Sequence, residues 1–298
     1  MKILGFGNCC VDYYIQQGIA YPGGNGLNVA VFAKDNGMDA AFLGTIGTDD
    51  IGKHIIKTAK KMGIDISHSP LKKGASGKAA VNIINGDRVW DEEYFGDEHG
   101  VGTLFPPMLS ECDLEYVEGF DLIHGCSYAY LEDQFLRLVN TDSLLTYDFS
   151  DDDEYRTEEY LKEICPVLDL GLFSCEHIAE ENILGFVTFV KSCGCKNVLI
   201  TMGPRGQRFY SESGEVYEGK AKYITPIDTM GAGDSYFAAF LSDMLKNSPQ
   251  HKILDGSDEQ MYVKIQNAMK KASEFAAKMC AKEGAFGYGV PITGRTEI

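Results

Sequence analysis

Positive charge is in short supply. The 298 residues carry 27 Lys and Arg against 44 Asp and Glu, a formal net charge of −17. So acidic a chain has no field to attract nucleic acid, and no nucleic-acid partner is expected. Any phosphate ligand must be held by local amides and a metal ion. Cysteine spacing is equally uninformative for metal. None of the nine cysteines forms a CxxC pair, and neither Cys9-Cys10 nor Cys193-Gly194-Cys195 has zinc-ligand spacing. An odd count, with Cys126, Cys165 and Cys280 in apolar stretches, predicts reduced thiols used as small core residues in a cytoplasmic setting. The six histidines lack an HExxH arrangement. No apolar run approaches transmembrane length, so no membrane partner is expected. The N-terminal apolar stretch breaks at Asn8 and Asp12, too early for a signal peptide. There is no internal repeat and no low-complexity linker, and a single domain over 1–298 is expected.

What is present is an alternation of short apolar segments with helical periodicity, the pattern of an α/β chain with a mostly parallel sheet. Ile3 to Gly7 reads as a buried strand, and Leu27, Ala30 and Val31 as a helix ending near Gly37. Ala41 to Ile46 reads as the next strand. Ile51, Ile55, Ile56, Ala59 and Met62 line a helix stopped at Gly63. Leu122–His124, Leu144–Tyr147, Leu168–Phe173 and Val198–Thr201 are further strands, and Gln207–Tyr210 with Glu215–Tyr217 form a hairpin. A second hairpin, Ser76–Ile84 with Arg88–Tyr94 around Asn85-Gly86-Asp87, predicts a β appendage serving as a lid. The last helix carries Met261, Ile265, Ala268, Met269, Ala272, Ala276 and Met279 on one stripe and ends at Gly284.

The most informative segment is Asp228-Thr229-Met230-Gly231-Ala232-Gly233-Asp234. A β-prone stretch, Tyr223–Ile227, precedes it, and an amphipathic helix follows, with Phe237, Phe240, Leu241, Met244 and Leu245 on one face. The glycines let the amides of Gly231, Ala232 and Gly233 turn toward one point at the positive end of the helix dipole, a site suited to phosphate. A carboxylate beside such a site repels the anion unless it has work to do. Asp234 stands where it can take a proton from an attacking hydroxyl, which predicts phosphoryl transfer from a nucleotide to an alcohol. Two other glycine patterns do not compete. Gly5-x-Gly7-x-x-Cys10 lacks the third glycine and the helix of a dinucleotide site, and Gly47-x4-Gly52-Lys53 has His54 where a phosphate loop needs Ser or Thr.

Two more segments fit the Asp234 site: Gly23-Gly24-Asn25-Gly26-Leu27-Asn28-Val29-Ala30, opening the first helix, and Thr201-Met202-Gly203-Pro204-Arg205-Gly206, ending a strand. Together with DTMGAGDS they make the whole chain resemble the ribokinase (phosphofructokinase-B) family of carbohydrate and nucleoside kinases. The resemblance implies a three-layer αβα ribokinase-like fold with a mostly parallel central sheet and a small β-sheet lid, formed by about 12–22 and 76–98. It implies ATP and Mg2+ as co-reactants, and in many relatives a K+ ion near the loops around Asp228. Asp12 and Asn28 would hold sugar hydroxyls, with Gly23 and Gly24 opening the backbone to the substrate and Arg88 meeting a charged part of it. Thr201, Gly203 and Gly206 would line the nucleotide, with Gly284 and the region of Ser273 and Ala277 bounding its base. Many relatives orient magnesium through an Asn-x-x-Glu motif. This chain has Ser174-Cys175-Glu176-His177 there, leaving Glu176 or Asp148 as the metal-orienting carboxylate, through water, or the metal held by ATP and water alone.

Within that family, Asn8–Asp12, Ile64–His68, Gly86–Trp90, Tyr147–Ser150 and Ile227–Met230 resemble the subgroup that phosphorylates fructosamines such as fructoselysine at O6. Kinases of plain ketoses, ribose or nucleosides use the same machinery and are the alternative. A non-catalytic sugar or nucleotide sensor is a third, resting on the altered 174–180 stretch. Lid strands in relatives often pair between subunits, which implies a homodimer.

Overall fold

The computed structural model describes residues 1–84, 87–91, 100–247 and 259–291, with the side chains of 259 and 260 left aside. In chain order it runs β1 (Lys2–Phe6), β2 (Cys10–Tyr14), β3 (Ile19–Gly23), α1 (Asn25–Asp35), β4 (Asp39–Leu43), β5 (Ile46–Gly47), α2 (Asp50–Lys61), β6 (Leu71–Lys72), β7 (Gly77–Ile84) and β8 (Asp87–Trp90). There follow α3 (Val101–Leu104), α4 (Glu111–Val117), β9 (Leu122–Cys126), α5 (Glu132–Leu136), β10 (Leu144–Asp148), α6 (Glu158–Ile164), β11 (Leu170–Ser174) and α7 (Glu180–Ser192). The chain closes with β12 (Asn197–Thr201), β13 (Gln207–Tyr210), β14 (Val216–Gly219), α8 (Ala232–Asn247), α9 (Glu259–Met279) and β15 (Val290–Pro291).

The main sheet has the order β14-β13-β12-β11-β10-β9-β1-β4. The strands from β4 through β12 are parallel, and β13 and β14 are an antiparallel edge. Parallel strands between helix layers are buried on both faces, and successive side chains point to opposite sides. Ile3, Leu122, Leu144, Leu170 and Leu199 join one core with α1, α8 and α9. Their neighbours Leu4, Ile123, Leu145 and Ile200 join the other, with α4, α5, α6 and α7. This is the three-layer αβα arrangement. Helix α1 lies between the sheet and α8, which explains why every residue from Gly26 to Ala33 is buried.

A second sheet has the order β15-β3-β2-β7-β8. It contains the strands expected of the lid, but its core pair β2 and β7 is parallel, so two hairpins are joined side by side. Strand β15 is an addition from the C-terminal region. The turn residues 85 and 86 and the expected strand positions 92–94 lie outside the described residues; β8 itself ends at Trp90.

Other expectations shift in detail. Ala41–Ile46 is not one strand: β4 ends at Leu43 and Ile46 pairs with Leu71 in a separate ribbon. The last helix ends at Met279, before Gly284. Tyr223–Ile227 is not a strand. The chain leaves the sheet edge at Gly219, and the Lys222 amide donates to Ser273 of α9 rather than to a neighbouring strand. Pro226 has no N–H to offer, and Ile227 is anchored by its amide to the Cys280 carbonyl at 2.8 Å. The nine cysteines form no disulfide, and all but Cys112 and Cys280 are buried. Among the described residues no helix is long and apolar enough to cross a membrane.

Candidate active site

The sheet's connectivity reverses at β1: the chain leaves β1 toward β4 on one side and returns to β9 on the other. Such a switch point leaves a crevice at the carboxyl ends of the strands. The N-terminus of α1, the ends of β9 and β10, and the start of α8 converge there.

Gly231 enters α8 at φ +69°, a left-handed conformation, and a Cβ there would stand 2.8 Å from the Cβ of Ala285. Only glycine fits on both counts. The Ala232 amide, expected in the anion cradle, instead donates to the Thr229 carbonyl at 3.1 Å. Among the described residues, the amides of Gly231, Gly233 and Asp234 donate to no backbone oxygen. The open donors at the helix start are therefore these three.

Asp234 is held by two asparagines of α1. Asn28 Nδ2 donates to its Oδ2 at 2.6 Å and Asn25 Nδ2 to its Oδ1 at 2.8 Å. Burial pushes the Asp234 carboxyl above the ordinary carboxylate range, while Asn28, the Arg88 charge and Asn25 pull it back. The other acid in the crevice is Asp148, at the end of β10. It accepts from Asn25 Nδ2 at 2.9 Å and from the Ser150 amide at 2.8 Å. Burial and the Asp234 charge raise its pKa to about 7. Among the described residues Asn28 Oδ1, itself buried, has no hydrogen-bond partner, an acceptor that a ligand hydroxyl would satisfy.

Asp12 is buried on β2. The role of Gly23 is steric: a Cβ would lie 2.3 Å from Asp12 Oδ2. Gly24, at φ +96°, turns β3 into α1 so closely over Cys9 that a Cβ would come within 2.7 Å of its Cα. These glycines let the chain pass Asp12 and deliver Asn25 and Asn28 to Asp234.

Arg88, on β8, brings the lid sheet to the helix start. Its amide donates to Thr229 Oγ1 at 3.4 Å and its guanidinium lies 4.0 Å from the Met230 sulfur. Thr229 in turn donates to Asp87 at 2.7 Å. Asp228 has little left to offer a cation. It accepts from the Tyr14 hydroxyl, from the Met230 amide at 2.8 Å and from the Gly284 amide at 2.7 Å. Gly284 itself, at φ +59°, packs on the Tyr21 ring, where a Cβ would stand 2.3 Å away.

The Thr201–Gly206 loop lies farther along the sheet edge, at the end of β12. Gly203 has φ +55° and carries the Glu176 carboxylate so near that a Cβ would meet it at 2.3 Å. Arg205, which spacing did not single out, donates to the carbonyls of Cys175, Glu176 and Ile178 at 2.8–3.0 Å and fixes the 175–178 turn. A cavity of about 610 Å³ opens beside the loop, lined by Met202, Arg205, Gln207, Gly219, Lys220 and Tyr262 among others. Glu176 and Asp148 thus stand at the ends of adjacent strands, one exposed and one buried. Among the described residues no group of three or more His, Cys, Asp or Glu side chains could hold a metal.

Solved structures of like shape include the ribokinase of Giardia lamblia, with a TM-score of 0.76 at 19% identity over 96% of this chain and 94% of that one. Another is the fructokinase of Xylella fastidiosa with bound ATP, with a TM-score of 0.74 at 16% identity over the same shares. The fold is therefore ribokinase-like. The model of the pfkB family carbohydrate kinases matches residues 10–131 and 175–288, and the chain belongs to that family. Among curated proteins it is 31% identical to the fructosamine kinase FrlD of Bacillus subtilis over 98% of this chain and 95% of that protein. It is also 31% identical to the fructoselysine 6-kinase of Escherichia coli over 81% of this chain and 88% of that one.

Proposed function

We propose that this sugar kinase acts on a fructosamine, an amino sugar such as fructoselysine, and transfers the ATP γ-phosphoryl group to its O6. The observation that carries the chemistry is Asp234 at the open amides of α8, held by Asn28, whose buried Oδ1 waits for a hydroxyl proton. Both relatives at 31% identity are named for fructosamine or fructoselysine, which favours that substrate over a plain ketose or nucleoside.

Asp12 and Asn28 bind sugar hydroxyls, and Arg88 meets the substrate from the lid side. The primary hydroxyl gives its proton to an Asp234 oxygen as its own oxygen bonds the γ-phosphorus, and the bond to the ADP oxygen breaks in line. The amides of Gly231, Gly233 and Asp234 stabilise the charge of the transferring group. The nucleotide follows the Thr201–Gly206 loop, with the adjoining cavity large enough for a nucleoside. Magnesium bound with ATP would neutralise phosphate charge, with Glu176 and Asp148 the carboxylates to reach it through water. A monovalent cation near Asp228 would act by shaping its loop, since the carboxylate is already bonded. A homodimer formed through the lid belongs to the same reading and is checked by light scattering.

The test is ADP release with magnesium and potassium over a panel of fructoselysine, other fructosamines, fructose, ribose and adenosine. Selective turnover of a fructosamine is expected. Turnover of only a plain sugar or nucleoside would overturn the substrate, and ATP binding with no turnover would overturn the kinase reading.

A further inference from the structure

Asn25 is the first residue of α1, and its side chain does more than end a helix. Its single amide nitrogen reaches both carboxylates of the crevice, Asp148 Oδ2 at 2.9 Å and Asp234 Oδ1 at 2.8 Å. An ionised Asp234 only accepts, so the nitrogen must face the pair, with one of its two protons toward each carboxyl group. The amide oxygen then points the other way, where it meets His124 Nε2 at 3.0 Å. An oxygen cannot donate, so Nε2 carries the imidazole proton. His124 Nδ1 is left as an acceptor for the Thr146 hydroxyl at 3.0 Å. Burial keeps the ring neutral, pushing its pKa down to about 3, and Phe237 of α8 packs against it with ring centroids 5.0 Å apart. Every proton in the chain Thr146–His124–Asn25 thus has one assignment, and the amide has one orientation.

We infer that Asn25 is a positioning residue for phosphoryl transfer, its amide bridging Asp234 and Asp148 so that the base is held in register, with His124 and Thr146 as its buried support. The inference rests on the proposed role of Asp234 as base. A bridge of this kind has a consequence that simple structural support lacks. Asn25 donates to the ionised form of Asp234, so its loss must make that carboxylate easier to protonate. Among the described residues, the charged and titratable groups facing Asp234 are Arg88 from β8, the Cys126 thiol from β9 and Asp148 from β10. Among them only Arg88 favours the ionised form, acting beside the hydrogen bonds of Asn28 and Asn25.

The experiment is the pH profile of kcat and kcat/KM from pH 6 to 9 for the wild type, Asn25→Ala, His124→Gln and His124→Leu, with ATP affinity measured alongside. Asn25→Ala is expected to lower kcat about 10- to 100-fold near pH 7, within the range for misplacing a catalytic group. Its acidic limb should move up by about one unit and the deficit should shrink toward pH 9, with ATP affinity unchanged. His124→Gln keeps a donor toward the Asn25 oxygen and should retain most activity, whereas His124→Leu should follow Asn25→Ala. An equal deficit at every pH, or no deficit, would overturn the bridge. So would identical behaviour of the two His124 variants, and that pair decides the matter if Asn25→Ala does not fold. An Asp234→Asn variant that keeps its rate would instead sink the base assignment, and a silent wild type the kinase reading.

Discussion

The hydroxyl of Tyr14 in the lid sheet donates to the carboxylate of Asp228, the residue that opens the turn into α8. Both are buried, 214 positions apart in sequence, and burial together with the carboxylate keeps the phenol protonated, its pKa well above the ordinary tyrosine range. The lid sheet and the helix start are therefore one built unit.

Tyr14→Phe should remove a donor from a buried carboxylate without changing the volume. A loss of about 1–3 kcal/mol is expected, seen as a lower urea midpoint at unchanged slope. An unchanged midpoint would mean that the hydrogen bond contributes nothing net.

Asp234→Asn keeps the shape of the proposed base and removes its ability to accept a proton. Turnover should fall about 10²- to 10⁴-fold while ATP affinity stays near wild type. Because burial raises the Asp234 carboxyl, the wild-type kcat/KM should decline on the acid side at a pH above the ordinary carboxylate range, as the base takes up its proton. Single-turnover measurements with ATP titrations separate the two quantities.

Asp148 makes stability depend on pH in an unusual direction. Its folded pKa of about 7 lies above the unfolded value of ~3.9, so the folded state binds the proton more tightly. That contribution is fully present below the unfolded value and lost as pH rises through about 7. Asp148→Asn carries no such charge, so its melting temperature should gain on the wild type between pH 5 and pH 8. A constant difference across that span would refute the assignment.

Gly23→Ala puts a methyl 2.3 Å from Asp12 Oδ2 at a backbone position without positive φ. The carboxylate must move, and the KM for sugar should rise at least about tenfold, the effect of ~1.4 kcal/mol. The KM for ATP should not change, and steady-state kinetics with each substrate varied would detect either departure.

The sequence spelled out whatever is set by local chemistry. The stripe Ile51 to Met62 folded as α2, capped by Asp49 and stopped by Gly63 at φ +74°. The Asp234 turn was legible because positive φ and an N-terminal carboxylate leave a mark within seven residues. Asn25 was not, although it sits inside the quoted Gly23–Ala30 segment, because its partners His124, Asp148 and Asp234 lie 99 to 209 positions away. Tyr14 and Arg205 were missed for the same reason. Tyr223–Ile227 misled in the opposite sense: β-prone side chains make a strand only where a neighbouring edge can pair with them.

Synthesis of the chain from its N-terminus sets a last condition. Asp228 is satisfied by Tyr14 and by the amide of Gly284, which leaves the ribosome long after Tyr14, and β15 joins the lid sheet later still. Most of the αβα layers can assemble on the nascent polypeptide. The turn into α8 cannot be locked until Gly284 has emerged, so a ribosome-stalled fragment ending before Gly284 would carry the sheet without this turn finished.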